Sequence, residues 1–192
     1  GKAGALLFTL LLCHWAGAQH ITVSLTAANG QPAKSDTAWW YLNQYYRGNY
    51  LVLDSVHAQN GKAVFTNSLH RPTYGRLIIP NLPAIDLLLS PQENEVTLAG
   101  NPNNFADGSY IVLNSAESQC MLTYKREEKE FNEFFSYAYT MLQKTPPANA
   151  AYHLFDSVVE MAVAKHNKRM REIADTYKGT FCAQSVIPNR LI

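Results

Sequence analysis

The chain has 192 residues, of which 47% are hydrophobic and 16% charged, and its formal net charge is +1 at pH 7. This composition is typical of a folded globular protein and excludes an intrinsically disordered one. The near-neutral balance, with no dense cluster of Lys and Arg, argues against a nucleic-acid-binding protein and against a polybasic membrane-surface protein. The length suffices for one domain, or for two small units that share a core.

Residues 1–18 have the pattern of a signal peptide. Lys2 provides the positive start, residues 5–12 form an apolar run too short to span a bilayer, and residues 16–18 read Ala-Gly-Ala, as a cleavage site requires. Lipidation of Cys13 is the alternative, but leucines precede this cysteine where a lipobox needs a small residue. We therefore predict export to the periplasm of a bacterial envelope, with no integral membrane segment after cleavage.

Residues 19–108 are predicted to form an antiparallel β-sandwich. Strands are expected at residues 20–27, 38–46, 50–57, 62–66, 75–79, 85–89 and 95–98. Asn29-Gly30 and Asn60-Gly61 are strong turn signals between them. We expect about seven antiparallel strands and no parallel pairing, because no crossover helix fits between consecutive strands.

Residues 109–192 are predicted to form a helical region that packs on the sandwich, which makes the fold class α+β. Apolar residues at helical spacing begin after Asn114, which we predict as an N-cap with Glu117 completing a capping box. Thr145-Pro146-Pro147 ends this helix, and a second helix is expected over residues 148–177. The short connection predicts an antiparallel hairpin. Neither helix buries its apolar stripe alone, so the stripes must pack on each other, on the sandwich or on a partner.

Asp54, Ser55 and His57 are the residues that invite a hydrolase interpretation. A catalytic triad needs its members to converge, whereas alternation in a strand places Ser55 and His57 on one face and Asp54 on the other. No Gly-x-Ser-x-Gly motif occurs in the chain. We therefore predict that the chain is not an enzyme.

His153, Asp156 and Glu160 share one face of the second predicted helix, as metal ligands can. We favour a solvated helix face, because the apolar stripe lies away from them. With no phosphate-binding loop and no zinc-type spacing of Cys and His, we expect no cofactor and no metal. His166 falls on the apolar stripe and is predicted to be partly buried and hydrogen-bonded.

The segment of residues 39–50 is dense in aromatic residues. Trp39, Trp40 and Tyr46 are our candidate binding residues, on a hairpin with one face in the core. The other face is covered by the helices, contacts a partner protein or stacks on a sugar.

Cys120 and Cys182 remain after removal of the predicted signal peptide. An oxidising compartment permits a disulfide between them, but two buried free thiols are the alternative that we favour.

Several segments resemble the N-terminal domains of bacterial envelope thiol-disulfide oxidoreductases. Residues 41–55 are similar to a hairpin followed by an Asp-Ser/Thr strand, and residues 60–65 to a Gly-x-Phe-x-Phe strand with Ala63 in place of an aromatic residue. Residues 75–80 resemble the next strand of that family. Residues 114–118 resemble a Gly-Ser-x-Glu-Asn helix start, from which Asn114 and Ser118 depart. Residues 179–183 resemble a Pro-x-Thr-x-Ala segment.

This resemblance implies a non-catalytic accessory module that precedes a thioredoxin-like or peroxiredoxin-like domain. The redox cysteines of that family belong to the following domain, so no catalytic residue is carried over to this chain. The implied roles are docking of a partner protein, of a substrate or of the chain's own C-terminal redox domain, or formation of a homodimer. The alternative is a stand-alone carbohydrate- or ligand-binding β-sandwich protein of the envelope.

Overall fold

The computed structural model describes residues 19–27, 29, 31, 38–67 and 69–192. The predicted signal peptide, Cys13 and Gly30 of the first predicted turn lie outside the described residues. The strands are β1 (Gln19–Thr26), β2 (Trp39–Tyr46), β3 (Asn49–His57), β4 (Lys62–Asn67), β5 (Thr73–Ile78), β6 (Ile85–Leu89), β7 (Glu95–Gly100) and β8 (Tyr110–Leu113). The long helices are α1 (Ala116–Lys144) and α2 (Ala150–Thr176). Short helical turns cover Pro102–Asp107, Cys182–Val186 and Ile187–Arg190.

The strands form two four-stranded sheets, with order β4-β1-β7-β8 in the first sheet and β3-β2-β5-β6 in the second. The predicted α+β sandwich with a helical hairpin is confirmed, with two differences. Strand β8 lies in the segment that was predicted to be purely helical, and it extends the first sheet beside β7. In addition, β1 pairs with β7 in parallel, although no parallel pairing was expected. Strands β1 and β7 are far apart in the sequence, and the chain between them, which includes β2 to β6, provides the long crossover connection that a parallel pair needs.

Two tight turns are built from residues that accept positive φ. Arg47 and Gly48 join β2 to β3 with φ of 49° and 87°, and Asn60 and Gly61 lead into β4 with φ of 51° and 71°. Two successive residues with positive φ are the geometry of a type I′ turn, which matches the twist of paired strands. The Asn60-Gly61 turn predicted from the sequence is therefore confirmed.

The main core lies between the two sheets. Alternate residues of each strand point inwards, and Trp40, Leu42, Phe65, Leu77 and Leu98 are completely buried there. Strand β3 carries a β-bulge, because the pairing register shifts between Leu42–Asp54 and Asn43–Val52.

Helix α1 starts one residue later than predicted. Asn114 has φ of +61°, in the left-handed region, whereas an N-cap residue has extended geometry. Ser115 has that geometry, and its hydroxyl accepts a hydrogen bond from Ser118 N–H. The predicted capping box is therefore wrong. The Glu93 carboxylate instead accepts from the Ser115 hydroxyl at 2.7 Å and from Glu117 N–H at 3.0 Å.

The first half of α1 covers β6, which is one of the two edge strands of the second sheet. The Ser118 hydroxyl accepts from Leu88 N–H and donates to the Leu88 carbonyl, both at 3.1 Å. Lys125 pairs with Asp86 of β6 at 3.0 Å, and Leu122 reaches into the main core. Helix α1 and the sandwich therefore pack against each other and share part of one hydrophobic core.

A second core cluster joins α1, α2 and the C-terminal segment, which we define as residues 181–192. Its buried members are Leu88, Cys120, Met121, Tyr124, Met170, Ile173, Cys182, Ala183, Val186 and Ile187. Within the part of the chain that the structure describes, no helix combines the length and apolar character that crossing a membrane requires.

Candidate functional site

The structure does not bring Trp39, Trp40 and Tyr46 together as one site. Trp40 is completely buried in the main core, whereas 52% of Trp39 and 46% of Tyr46 are exposed. Trp39 and Tyr46 are the first and last residues of β2. Seven steps along a strand separate them by roughly 23 Å, since each residue advances about 3.3 Å. A single small ligand therefore cannot contact all three side chains.

Trp39 does share the outward face of the second sheet with other aromatic side chains. Trp39 and Tyr41 of β2 are exposed there, and the Trp39 ring contacts the His57 ring edge-on at 5.7 Å. Nearer the β2–β3 turn, the Tyr45 and Tyr50 rings meet at 5.3 Å, and the Arg76 guanidinium lies 4.2 Å from the Tyr50 ring centre. Trp39, Tyr45 and Tyr50 therefore already have ring or guanidinium partners on this face.

Asp54, Ser55 and His57 do not converge. The Asp54 carboxylate accepts from Ser55 N–H at 2.7 Å and from Thr66 N–H of β4 at 2.6 Å. It therefore covers the edge of the first sheet, while His57 packs against Trp39 on the outward face of the second. The arrangement is structural, as strand alternation predicts.

His153, Asp156 and Glu160 lie on α2, where His153 and Glu160 are exposed and Asp156 is half-buried. Among residues 19–192, as far as they are described, no three His, Cys, Asp or Glu side chains are grouped so that they could hold a metal ion. This face of α2 is a solvated surface.

The half of the hairpin far from the sandwich, residues 131–163, which we call the distal half, carries fewer charged residues than the proximal half next to the sandwich. Residues 116–130 and 164–178 each carry seven charged residues, whereas residues 131–163 carry only Glu133, Lys144, Asp156 and Glu160. Depletion of charge together with enrichment in aromatic residues and Met distinguishes the cores of protein interfaces from ordinary surfaces.

One broad side of this distal half, which we call the apolar side, consists of Phe134, Tyr137, Leu154, Val158 and Met161. The exposed fractions are 51% for Phe134, 66% for Tyr137, 63% for Leu154 and 71% for Met161. Phe134 of α1 and Val158 and Met161 of α2 line one open groove of about 570 Å³. Helical spacing places Tyr137 beside Phe134, and Leu154 beside Val158. Phe134, Tyr137, Leu154 and Met161 are too exposed to be core residues of a single copy.

A charged groove of about 530 Å³ continues from the apolar side towards the sandwich. Its charged lining residues are Glu127, Glu130 and Arg126 on α1 and Lys165, Lys168, Arg169 and Glu172 on α2. Glu127 lies 3.8 Å from the Arg169 guanidinium. One wall of the groove is therefore mainly acidic and the other mainly basic.

His166 lines the groove of the apolar side and follows Lys165, which lines both grooves. It is buried more completely than predicted, and its ring stacks on Phe131 with 4.1 Å between ring centres. The predicted hydrogen bond is absent at Nδ1, whose nearest acidic atom is Glu127 Oε1 at 3.9 Å. His166 and Phe131 therefore join the helices mainly through ring packing.

Helical spacing predicted an apolar stripe on each helix but did not identify which stripe residues stay uncovered. The sequence feature that could have identified the exposed residues is the number of apolar residues in residues 131–163, which is larger than two packed helices can bury between them. No family model matches the sequence, and no curated protein sequence matches it.

Proposed function

We propose that this chain is an exported, non-catalytic docking module that joins two copies of itself through the apolar side of its helical hairpin. The observation that carries the proposal is the exposure of Phe134, Tyr137, Leu154 and Met161 within a charge-poor half of the hairpin. Their exposed portions amount to roughly 500 Å² when each large side chain contributes about 150–250 Å². A stable interface buries about 800 Å² per partner, so these residues supply more than half of it.

The charged groove favours a second copy as the occupant. Contacts between Phe131 and His166 and between Glu127 and Arg169 place these parts of α1 and α2 at the same height. A two-fold axis parallel to the hairpin sets α1 of one copy over α2 of the other. Glu130 then faces Lys165 of the second copy, and the two apolar sides meet further out. The result is a four-helix bundle with complementary charges at its proximal end.

The resemblance to envelope thiol-disulfide oxidoreductases suggests what such a dimer serves. In that family a redox domain follows the module, so a paired hairpin would hold two redox domains near one another. Export to the periplasm, as an accessory part of a thioredoxin-like protein, is the setting that this proposal implies.

The test is the molar mass of the full chain in solution, measured by light scattering during size-exclusion chromatography. We expect a dimer for the wild type and a monomer for Phe134→Glu and Met161→Glu, because a charge in the interface is left without a partner. Ile111→Glu is the matched control: Ile111 is 61% exposed on β8, so this variant should remain dimeric. Circular dichroism checks that every variant is folded.

Charge-reversal variants distinguish a loss of the dimer caused by the interface from one caused by misfolding. Glu130→Lys and Lys165→Glu should each weaken the dimer by like-charge repulsion, and the double variant should restore it. A monomeric wild type at about 100 μM would overturn the proposal, since stable interfaces of this size have far lower dissociation constants. Unchanged dimers in all the variants would equally contradict this interface.

Binding of a carbohydrate is a second candidate, supported by the exposed aromatic rings on the outward face of the second sheet. Trp39 and Tyr41 would be the stacking residues, while buried Trp40 is excluded from contact. Titration with oligosaccharides should then quench tryptophan fluorescence in the wild type and not in Trp39→Ala. An absence of binding to a panel of neutral and acidic oligosaccharides would contradict this alternative.

A further inference from the structure

Two cysteines meet where the C-terminal segment packs on α1. Cys120 of α1 and Cys182 are both completely buried in the second core cluster, and they are free thiols, as predicted. One helical turn before Cys120, the Glu117 carboxylate accepts from Phe181 N–H at 2.7 Å and from Cys182 N–H at 2.9 Å. Residues three apart lie on one face of a helix, so the bonds made by Glu117 bring the backbone of Cys182 next to Cys120.

The neighbouring Cys120 thiol, and then burial, raise the pKa of the Cys182 thiol. The Cys182 thiol in turn, with help from Thr180, lowers the pKa of Cys120 despite burial. Cys120 is therefore the better candidate for the first thiolate.

We infer that Cys120 and Cys182 are the site of an intramolecular disulfide that ties the C-terminal segment covalently to α1. This inference does not depend on the proposed dimer, because both cysteines lie in the second core cluster and neither lines the grooves of the hairpin.

The oxidant is an external disulfide, of low molecular mass or on another protein. The Cys120 thiolate attacks one sulfur of that disulfide, forms a mixed disulfide and releases the other half as a thiolate. The Cys182 thiolate then attacks Cys120 Sγ, closes the intramolecular bond and releases the second half. Overall, two thiols lose two protons and two electrons, and the external disulfide becomes two thiols.

Burial of both sulfurs makes the reaction depend on local opening. The C-terminal segment is also held by Asn167 of α2, whose side-chain amide donates to the Ile192 carbonyl at 2.7 Å and accepts from Ile192 N–H at 3.0 Å. Oxidation therefore requires that the segment lifts from α1 and α2, and once the bond has formed the segment cannot leave.

The experiment treats the folded full chain, carrying Cys13→Ser so that two thiols remain, with oxidised glutathione. Peptide mapping without reductant should link the peptide that contains Cys120 to the one that contains Cys182. Backbone hydrogen exchange in the segment should slow after oxidation. Cys182→Ala is the matched control and should give a glutathione adduct or a free thiol at Cys120. Two free thiols, or separate adducts on both cysteines, in the Cys13→Ser chain would overturn the inference even if the control fails to fold.

Discussion

Replacement of Glu117 by Ala tests how the C-terminal segment is held. The Glu117 side chain is buried, and its two carboxylate oxygens accept hydrogen bonds from Phe181 N–H and Cys182 N–H. These N–H groups belong to the start of the last helical turns, where backbone donors lack partners within the helix. Alanine removes both acceptors and leaves the donors unpaired.

The expected cost follows from the burial of each donor. Cys182 N–H is in a buried hydrogen bond, and a buried donor without a partner costs about 1–3 kcal/mol. The bond from Phe181 N–H is only part-buried, so water recovers some of its loss and we assign it about 1 kcal/mol. We therefore expect Glu117→Ala to lower the free energy of unfolding by about 2–4 kcal/mol.

Urea unfolding measures the free energy, and hydrogen exchange by mass spectrometry locates the effect. Amides of residues 181–190 should exchange faster in Glu117→Ala, while the strands of the sandwich keep their protection. Glu160→Ala, at an exposed position on α2, is the matched control and should change neither measurement. A loss below about 0.5 kcal/mol, or unchanged exchange in the segment, would refute the reasoning.

Two further predictions concern the sandwich. Burial raises the pKa of Glu93 against the lowering effect of hydrogen bonds from Glu117 N–H and the Ser115 hydroxyl, so ionisation of Glu93 costs stability. The contribution of protonated Glu93 to stability is fully present below the pKa that Glu93 has in the unfolded chain, and it is lost as pH rises through the folded pKa. Urea unfolding should therefore show that Glu93→Gln becomes more stable relative to the wild type between about pH 4 and about pH 7. A difference that stays constant over this range would contradict the prediction. Trp40→Ala should lower the free energy of unfolding by about 3–5 kcal/mol in the same assay, whereas half-exposed Trp39→Ala should lower it by about 1 kcal/mol or less; similar losses would show that the two burial assignments are wrong.

Most of the secondary structure could be predicted because its signals are local. The Asn60-Gly61 turn, the alternation through Trp39–Tyr46 and the helical spacing after residue 114 are each encoded within a few residues. Strand β8 was missed because four residues between a polar loop and a helix carry too little pattern. The parallel β1–β7 pair joins distant segments, which no local pattern specifies.

The candidate site was only partly predictable. Helical periodicity identifies Phe134 and Val158 as apolar-stripe residues, but their exposure depends on how far the hairpin extends beyond the sandwich. Similarly, Glu117 was predicted to cap its own helix, whereas its carboxylate binds a backbone more than 60 residues later. Tertiary packing decides both outcomes.

The Ser118 hydroxyl binds the edge of β6, so a chain shortened before Ser118 would lose this contact. The N–H and the carbonyl of Leu88 are hydrogen-bonded to the Ser118 hydroxyl instead of to another strand. A shortened protein that stops at residue 108 would present this backbone to solvent, and bare strand rims recruit strands from neighbouring molecules. It would also lack β8 and Leu122, so the sandwich would lose part of its own interior. Helix α1 therefore protects this edge of the second sheet, and a chain cut at residue 108 would expose the edge.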